Sequence, residues 1–138
     1  MKKIILSIAL LSVILVSAKN ETPNNNFKIT PSTYTMSVNA FCKLIQMGDY
    51  ETVKSLIEDG IDVNKKSVGL TPLMYAARHN KAKITKLLIN NGAKLKVKSD
   101  GKGFTALRWA ELSNANDAFE IIESALENQK RRKRRNRK

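Results

Sequence analysis

Few side chains in this 138-residue chain are of a kind that does chemistry, and their spacing sorts them quickly. Five acids, Asp49, Glu51, Glu58, Asp59 and Asp62, crowd one short stretch. A working acid–base pair needs two carboxyls on one face, held in contrasting environments. These five fall on alternate helix faces and a loop, which is the pattern of a solvated surface. The one histidine, His79, has no Ser or Cys at a spacing that would let it activate a nucleophile. The one cysteine, Cys42, reads as a small apolar residue on a helix; an intermolecular disulfide is the alternative. One His and one Cys are too few for a zinc site. Gly101-Lys102-Gly103 is too short to cradle a phosphate and suits a turn better. The expectation is a chain with no catalytic residues, cofactor, metal or small-molecule substrate.

The elements that would position any functional side chain begin well inside the chain. Lys2 and Lys3 precede an apolar run, Ile4 to Val16, broken only by Ser7 and Ser12, and Val16-Ser17-Ala18 offers a small-residue cleavage site. This run is shorter than the roughly 20 residues a spanning helix needs, so removal of residues 1–18 is expected rather than anchoring. No Cys follows the run, against a lipid-modified N-terminus, and the short Lys-initiated signal resembles a bacterial one. Residues 19–36, rich in Asn, Thr, Ser and Pro, read as a disordered spacer. The destination implied is the periplasm or the outside of the cell.

From Ser37 to about Asn128 the apolar residues recur at helical spacing, and the pattern repeats. Gly60-Ile61-Asp62-Val63-Asn64 follows Val53, Leu56 and Ile57; Gly92-Ala93-Lys94-Leu95-Lys96 follows Ile84, Leu87, Leu88 and Ile89. These glycines are 32 residues apart and stand where helices end in a left-handed residue. Gly69-Leu70-Thr71-Pro72-Leu73 is echoed by Gly103-Phe104-Thr105-Ala106-Leu107, with the threonines 34 apart. Such a period marks stacked helical repeats. Thr71 can cap a helix whose first turn holds Pro72, where a missing N–H costs nothing.

Thr71-Pro72-Leu73-Met74-Tyr75-Ala76-Ala77 resembles the opening of an ankyrin repeat, departing at Met74 where His is usual, and Ile84 to Gly92 resembles its second helix and closing glycine. The resemblance implies an all-α solenoid of helix–turn–helix repeats with hairpin-like fingers, three units at about 37–66, 67–100 and 101–129. The first lacks the Thr-Pro opening. The third decays: Asn114 replaces the inter-helix glycine, and Glu123 stands at an apolar position. It also implies a non-catalytic role in binding another protein, such as an enzyme it assists. The recognition surface would be the fingers and the exposed side of each first helix. Carried over position by position, that surface takes in Leu70, Tyr75, Arg78 and His79, then Phe104, Arg108 and Trp109. Tyr75 and Trp109 are equivalent, and burial against neighbours is the competing reading for both.

Charge adds a second theme. The net charge is +13, but removing eight cations in residues 130–138 and two at Lys2 and Lys3 leaves +3 for the body. Between Lys65 and Arg108 eleven basic residues face Asp100 alone. Lys94, Lys96 and Lys98 alternate on a finger, a band that could steer an acidic protein. Residues 130–138, with Arg131, Arg132, Lys133, Arg134 and Arg135 at their centre, are expected to be a disordered tail. Such a tail can hold an anionic polymer or lipid surface by counterion release. Polyanion binding is therefore the alternative function. Expressed in a bacterial host, the chain is expected outside the cytoplasm with Lys19 as its first residue by mass spectrometry; an intact Met1 in the membrane fraction would show retention.

Overall fold

The computed structural model describes residues 38–137, so the expected signal and spacer lie outside the described residues. Six helices run in pairs: α1 (Val38–Met47) with α2 (Tyr50–Glu58), α3 (Pro72–Arg78) with α4 (Ala82–Asn90), and α5 (Ala106–Leu112) with α6 (Asn116–Arg135). Among the described residues, strand-like pairing is confined to one isolated bridge, Ser67 with Leu70. The all-α repeat fold expected from the register is the fold observed.

Local chemistry sets each boundary. Thr71 caps α3, its hydroxyl accepting from the Met74 N–H, and Pro72 occupies the first turn; Thr105 caps α5 in the same way through the Arg108 N–H. The turns inside the three pairs place Gly48, Asn80 and Asn114 at φ of 87°, 50° and 52°. Asn tolerates this left-handed region because its short polar side chain can bond locally.

Packing is between pairs. α3 lies against α1 on one side and α5 on the other, and α4 against α2 and α6. Ala76, Ala77 and Ala110 are fully buried, which lets the short first helices approach closely, while Leu88, Ile122 and Phe41 fill the same continuous core. Leu107 packs against it, partly buried. Each large side chain removed from water contributes about 1.5–3 kcal/mol, and in a stacked array neighbouring repeats complete that burial.

Polar groups repeat this logic. Asn80 accepts from the Ala118 N–H at 3.0 Å and donates to Asp117 at 3.1 Å, so the second repeat caps the helix of the third. Asn64 donates to the Gly92 carbonyl at 3.1 Å and accepts from the Lys94 N–H at 2.8 Å, stitching one finger to the next. The Ser67 hydroxyl bonds to Asn39, anchoring the finger to α1. Cys42 is buried, and burial pushes its thiol up to about 11, only partly offset by Ser67, so it is a packed side chain.

The fingers differ in length. In the first, Ser67 and Leu70 exchange backbone hydrogen bonds of 2.8 and 3.0 Å around Val68 and Gly69, both at positive φ (49° and 76°). Two left-handed residues in a two-residue loop define a type I′ turn. Gly69 is further required because a Cβ there would meet the Asp100 Cβ at 3.0 Å. In the second finger the pairing is Ser99 N–H to the Phe104 carbonyl at 2.8 Å, enclosing two more residues. That insertion is why the register changes from 32 to 34.

One expectation is corrected. Residues 130–135 are not a disordered tail; they extend α6, which is helical to Arg135. Lys and Arg are good helix formers, cations favour the negative end of the helix dipole, and Lys130 bonds to Glu127 at 2.9 Å one turn back. That contact holds the Glu127 carboxyl below its usual range. Among the described residues, no helix is long and apolar enough to cross a membrane.

Val68 is a branched residue in a left-handed conformation and is 86% exposed. An L-residue with a Cβ is disfavoured there by about 1–2 kcal/mol, and Asn much less so. Val68→Asn is expected to raise unfolding stability by about 1 kcal/mol in urea titration with an unchanged slope; a loss of stability would mean Val68 makes a native contact that compensates its strain.

Candidate protein-binding surface

Helix α5 is short, so its cap fixes its orientation, and it presents Trp109 between the second finger and α3. Phe104, at the end of that finger, meets the indole edge-on, with ring centroids 5.6 Å apart and planes at 70°. The Arg78 guanidinium from α3 lies over the same ring at 5.4 Å, and the Lys102 ammonium from the fingertip at 5.6 Å. Cation–π contacts of this kind contribute about 0.5–1 kcal/mol each at exposed sites. The indole N–H is buried with no acceptor among the described residues, so packing and the two cations hold the ring. Neither Arg78 nor Lys102 has an ion pair among the described residues. Asp100, two residues before Lys102, pairs with Lys66 at 2.6 Å, and Glu111, two residues after Trp109, pairs with Arg108 at 2.7 Å.

Of the residues expected at a recognition surface, the structure gathers Arg78, Phe104 and Trp109 into one cluster. Tyr75 is partly buried, and its hydroxyl donates to the Ser67 carbonyl at 3.1 Å, so its polar end is committed to holding the first finger. Leu70 is partly buried against the core. Arg108 is exposed but paired with Glu111. Lys96 and Lys98 are exposed, as is Lys94, and they alternate with Leu95 and Ser99, which are buried; the finger thus projects a cationic flank. Arg131, Arg132, Lys133, Arg134 and Arg135 are exposed along the end of α6. The residue that sequence reasoning left off the recognition surface is Lys102, counted in the basic band and otherwise read as part of a turn. A cleft of about 640 Å³ between α4 and α6, lined by Lys86, Asn90, Glu120, Ser124 and Arg132 among others, shares no residue with the Trp109 cluster.

His79 ends α3 as its C-cap, within hydrogen-bond distance (3.0 Å) of the Gln46 side-chain nitrogen on α1. The amide can donate only to an unprotonated ring nitrogen. Partial burial pulls its pKa below 6.5, and Arg78, Lys81 and Lys43 lower it further. The imidazole is thus held neutral at pH 7 inside a positive field spanning the first two repeats.

A stack of helix pairs that bury themselves against one another, leaving fingers and first helices free, is a protein-binding scaffold by construction. The chain belongs to the ankyrin repeat family: a model of ankyrin repeats in three copies matches residues 39–132, reaching into the basic segment. It is 35% identical over 75 residues to an ankyrin repeat protein of fowlpox virus, covering 52% of this chain and 22% of that one. It is 36% identical over 87 residues to an ankyrin repeat, SAM and basic leucine zipper domain-containing protein of Pongo abelii, covering 62% and 18%. The chain spans about a fifth of the length of these curated relatives. Among solved structures it is similar to a chain in the complex of a predatory endopeptidase from Bdellovibrio bacteriovorus with an immunity protein. The TM-score there is 0.59 with 35% identity, covering 62% of this chain and 45% of that one.

His79 is the only histidine, so its ring proton signals are unambiguous in NMR. Its midpoint is expected below 6.5, and Arg78→Gln is expected to move it upward. A depressed folded-state pKa means the unfolded chain binds more protons below pH 6.5. The associated stability is fully present above 6.5 and is lost as pH falls through the folded value; a midpoint at or above 6.5 would remove the positive field.

Proposed function

We propose that this protein is an exported, non-catalytic module that binds a second protein of acidic surface through its fingers and first helices. The observation that carries the reading is the Arg78–Trp109–Lys102 cluster: two cations ordered over an aromatic ring and paired with no acid among the described residues. Arg and Trp are the side chains that dominate interface energies when partly desolvated. The cationic flank of Lys94, Lys96 and Lys98 supports fast, steered encounter with such a partner. A solved relative comes from a complex of an endopeptidase with an immunity protein, which supports an enzyme as the partner class. Export itself rests on the leader-like residues 1–18.

A second reading is favoured by one observation. The helical continuation of α6 sets Lys130 to Arg135 on a fixed scaffold with no acid after Glu127, a unit able to hold an anionic polymer or lipid surface.

The two readings separate in one set of variants, each checked by circular dichroism. Tagged protein is used to capture partners from the exported fraction of its own cells. Arg78→Glu, and Lys96→Glu combined with Lys98→Glu, are expected to lose the captured protein at least tenfold, while Lys86→Glu on α4 and truncation after Gln129 retain it. Loss on truncation alone would transfer the function to α6, and equal recovery by every variant would end the first reading.

A further inference from the structure

We infer that Arg78 and Lys102 form a clamp for a carboxylate side chain, and that the segment docking over Trp109 is an acidic stretch of peptide. This rests on the protein-binding reading above and deepens it. Both cations are held in place before any partner arrives, since each lies over the indole at 5.4 and 5.6 Å. Holding them there removes much of the side-chain entropy that a free Lys or Arg loses on forming an ion pair. Their positions come from different elements, α3 and the second fingertip, so the charge between them is a property of the fold rather than of one run of sequence. The acids adjacent in sequence to Lys102 and Trp109, Asp100 and Glu111, pair with Lys66 and Arg108. What is left is a local excess of two positive charges, which a partner must meet. Arg offers a planar fork suited to two carboxylate oxygens, and Lys a point charge held over the same indole.

The same geometry selects against nucleic acid. Binding of single strands relies on an aromatic face open to a base. Here Phe104 contacts the ring edge-on while both cations stand over it, and the indole N–H is buried. Half-buried Phe104, packed edge-on to the indole, gives a docked peptide apolar ground next to its acid.

Trp109 is the only tryptophan, so its fluorescence reads this site alone in the full-length chain. The probes are acetylated, amidated hexaglutamate and hexaglutamine, titrated at low and physiological salt. Hexaglutamate is expected to give a saturable change that weakens with salt, and hexaglutamine none. Arg78→Gln and Lys102→Gln should each weaken the hexaglutamate response about three- to tenfold, the loss of one charge-assisted contact. Lys102→Arg should restore most of it. Lys133→Gln with Arg134→Gln, which alters α6 alone, should change it less than twofold. Equal responses to both peptides, or an equal loss in the α6 control, would overturn the clamp. If partner capture depends on Arg78 but hexaglutamate leaves Trp109 unmoved, the surface binds a protein by other chemistry, and only the carboxylate assignment falls. An oligonucleotide moving the signal more strongly than hexaglutamate would also overturn it.

Discussion

The helix pairs of repeats two and three cannot bury their own apolar side chains, because the first helix of each is only seven residues long. Everything else depends on the seam that consecutive pairs share. Ala76, Ala77 and Ala110 keep the first helices close, and Leu88 and Ile122 fill the layer behind them. The polar groups follow the same rule, since Asn64 and Asn80 spend their side chains on the next repeat and not on their own. Stability is thereby distributed along the stack, with neighbours acting as one another's solvent shield and cap.

That division of labour leaves the finger side free, and its electrostatics are arranged accordingly. Asp100 and Glu111 are spent within the chain, on Lys66 and Arg108, while Arg78 and Lys102 are ordered by an aromatic ring. A ring orders a cation without cancelling its charge, which an ion pair does. His79 registers the result, kept unprotonated by burial and by three neighbouring cations.

Much of this was legible in the residues. Thr71-Pro72 and Thr105 announced two helix starts, Gly60 and Gly92 two helix ends, and the 32- and 34-residue intervals the stack. Arg78, Phe104 and Trp109 could be grouped from the residues, and they meet in the structure, because they hold fixed positions in a regular repeat. Tyr75 was harder: its equivalence to Trp109 says where it starts but not that its hydroxyl reaches the Ser67 carbonyl. The basic segment misled because a run of like charge signals repulsion, whereas Lys and Arg following a formed helix can propagate it, nucleation having already occurred in residues with apolar contacts. Lys102 was invisible because its position over the indole depends on how far a loop reaches, and composition carries no record of reach.

The unequal fingers set a limit on how such an array can grow. The shorter tip ends in Val68 and Gly69, while the longer one carries Lys102 out to the following helix. Gene duplication of the segment between Ser67 and Asp100 would copy the compact tip but split the extended one, giving a longer stack without a second charged jaw. Shifting the copied block by four codons, to run from Thr71 through Phe104, would instead copy the extended tip whole. Where an ancestral crossover fell would therefore decide whether extra length brought extra grip.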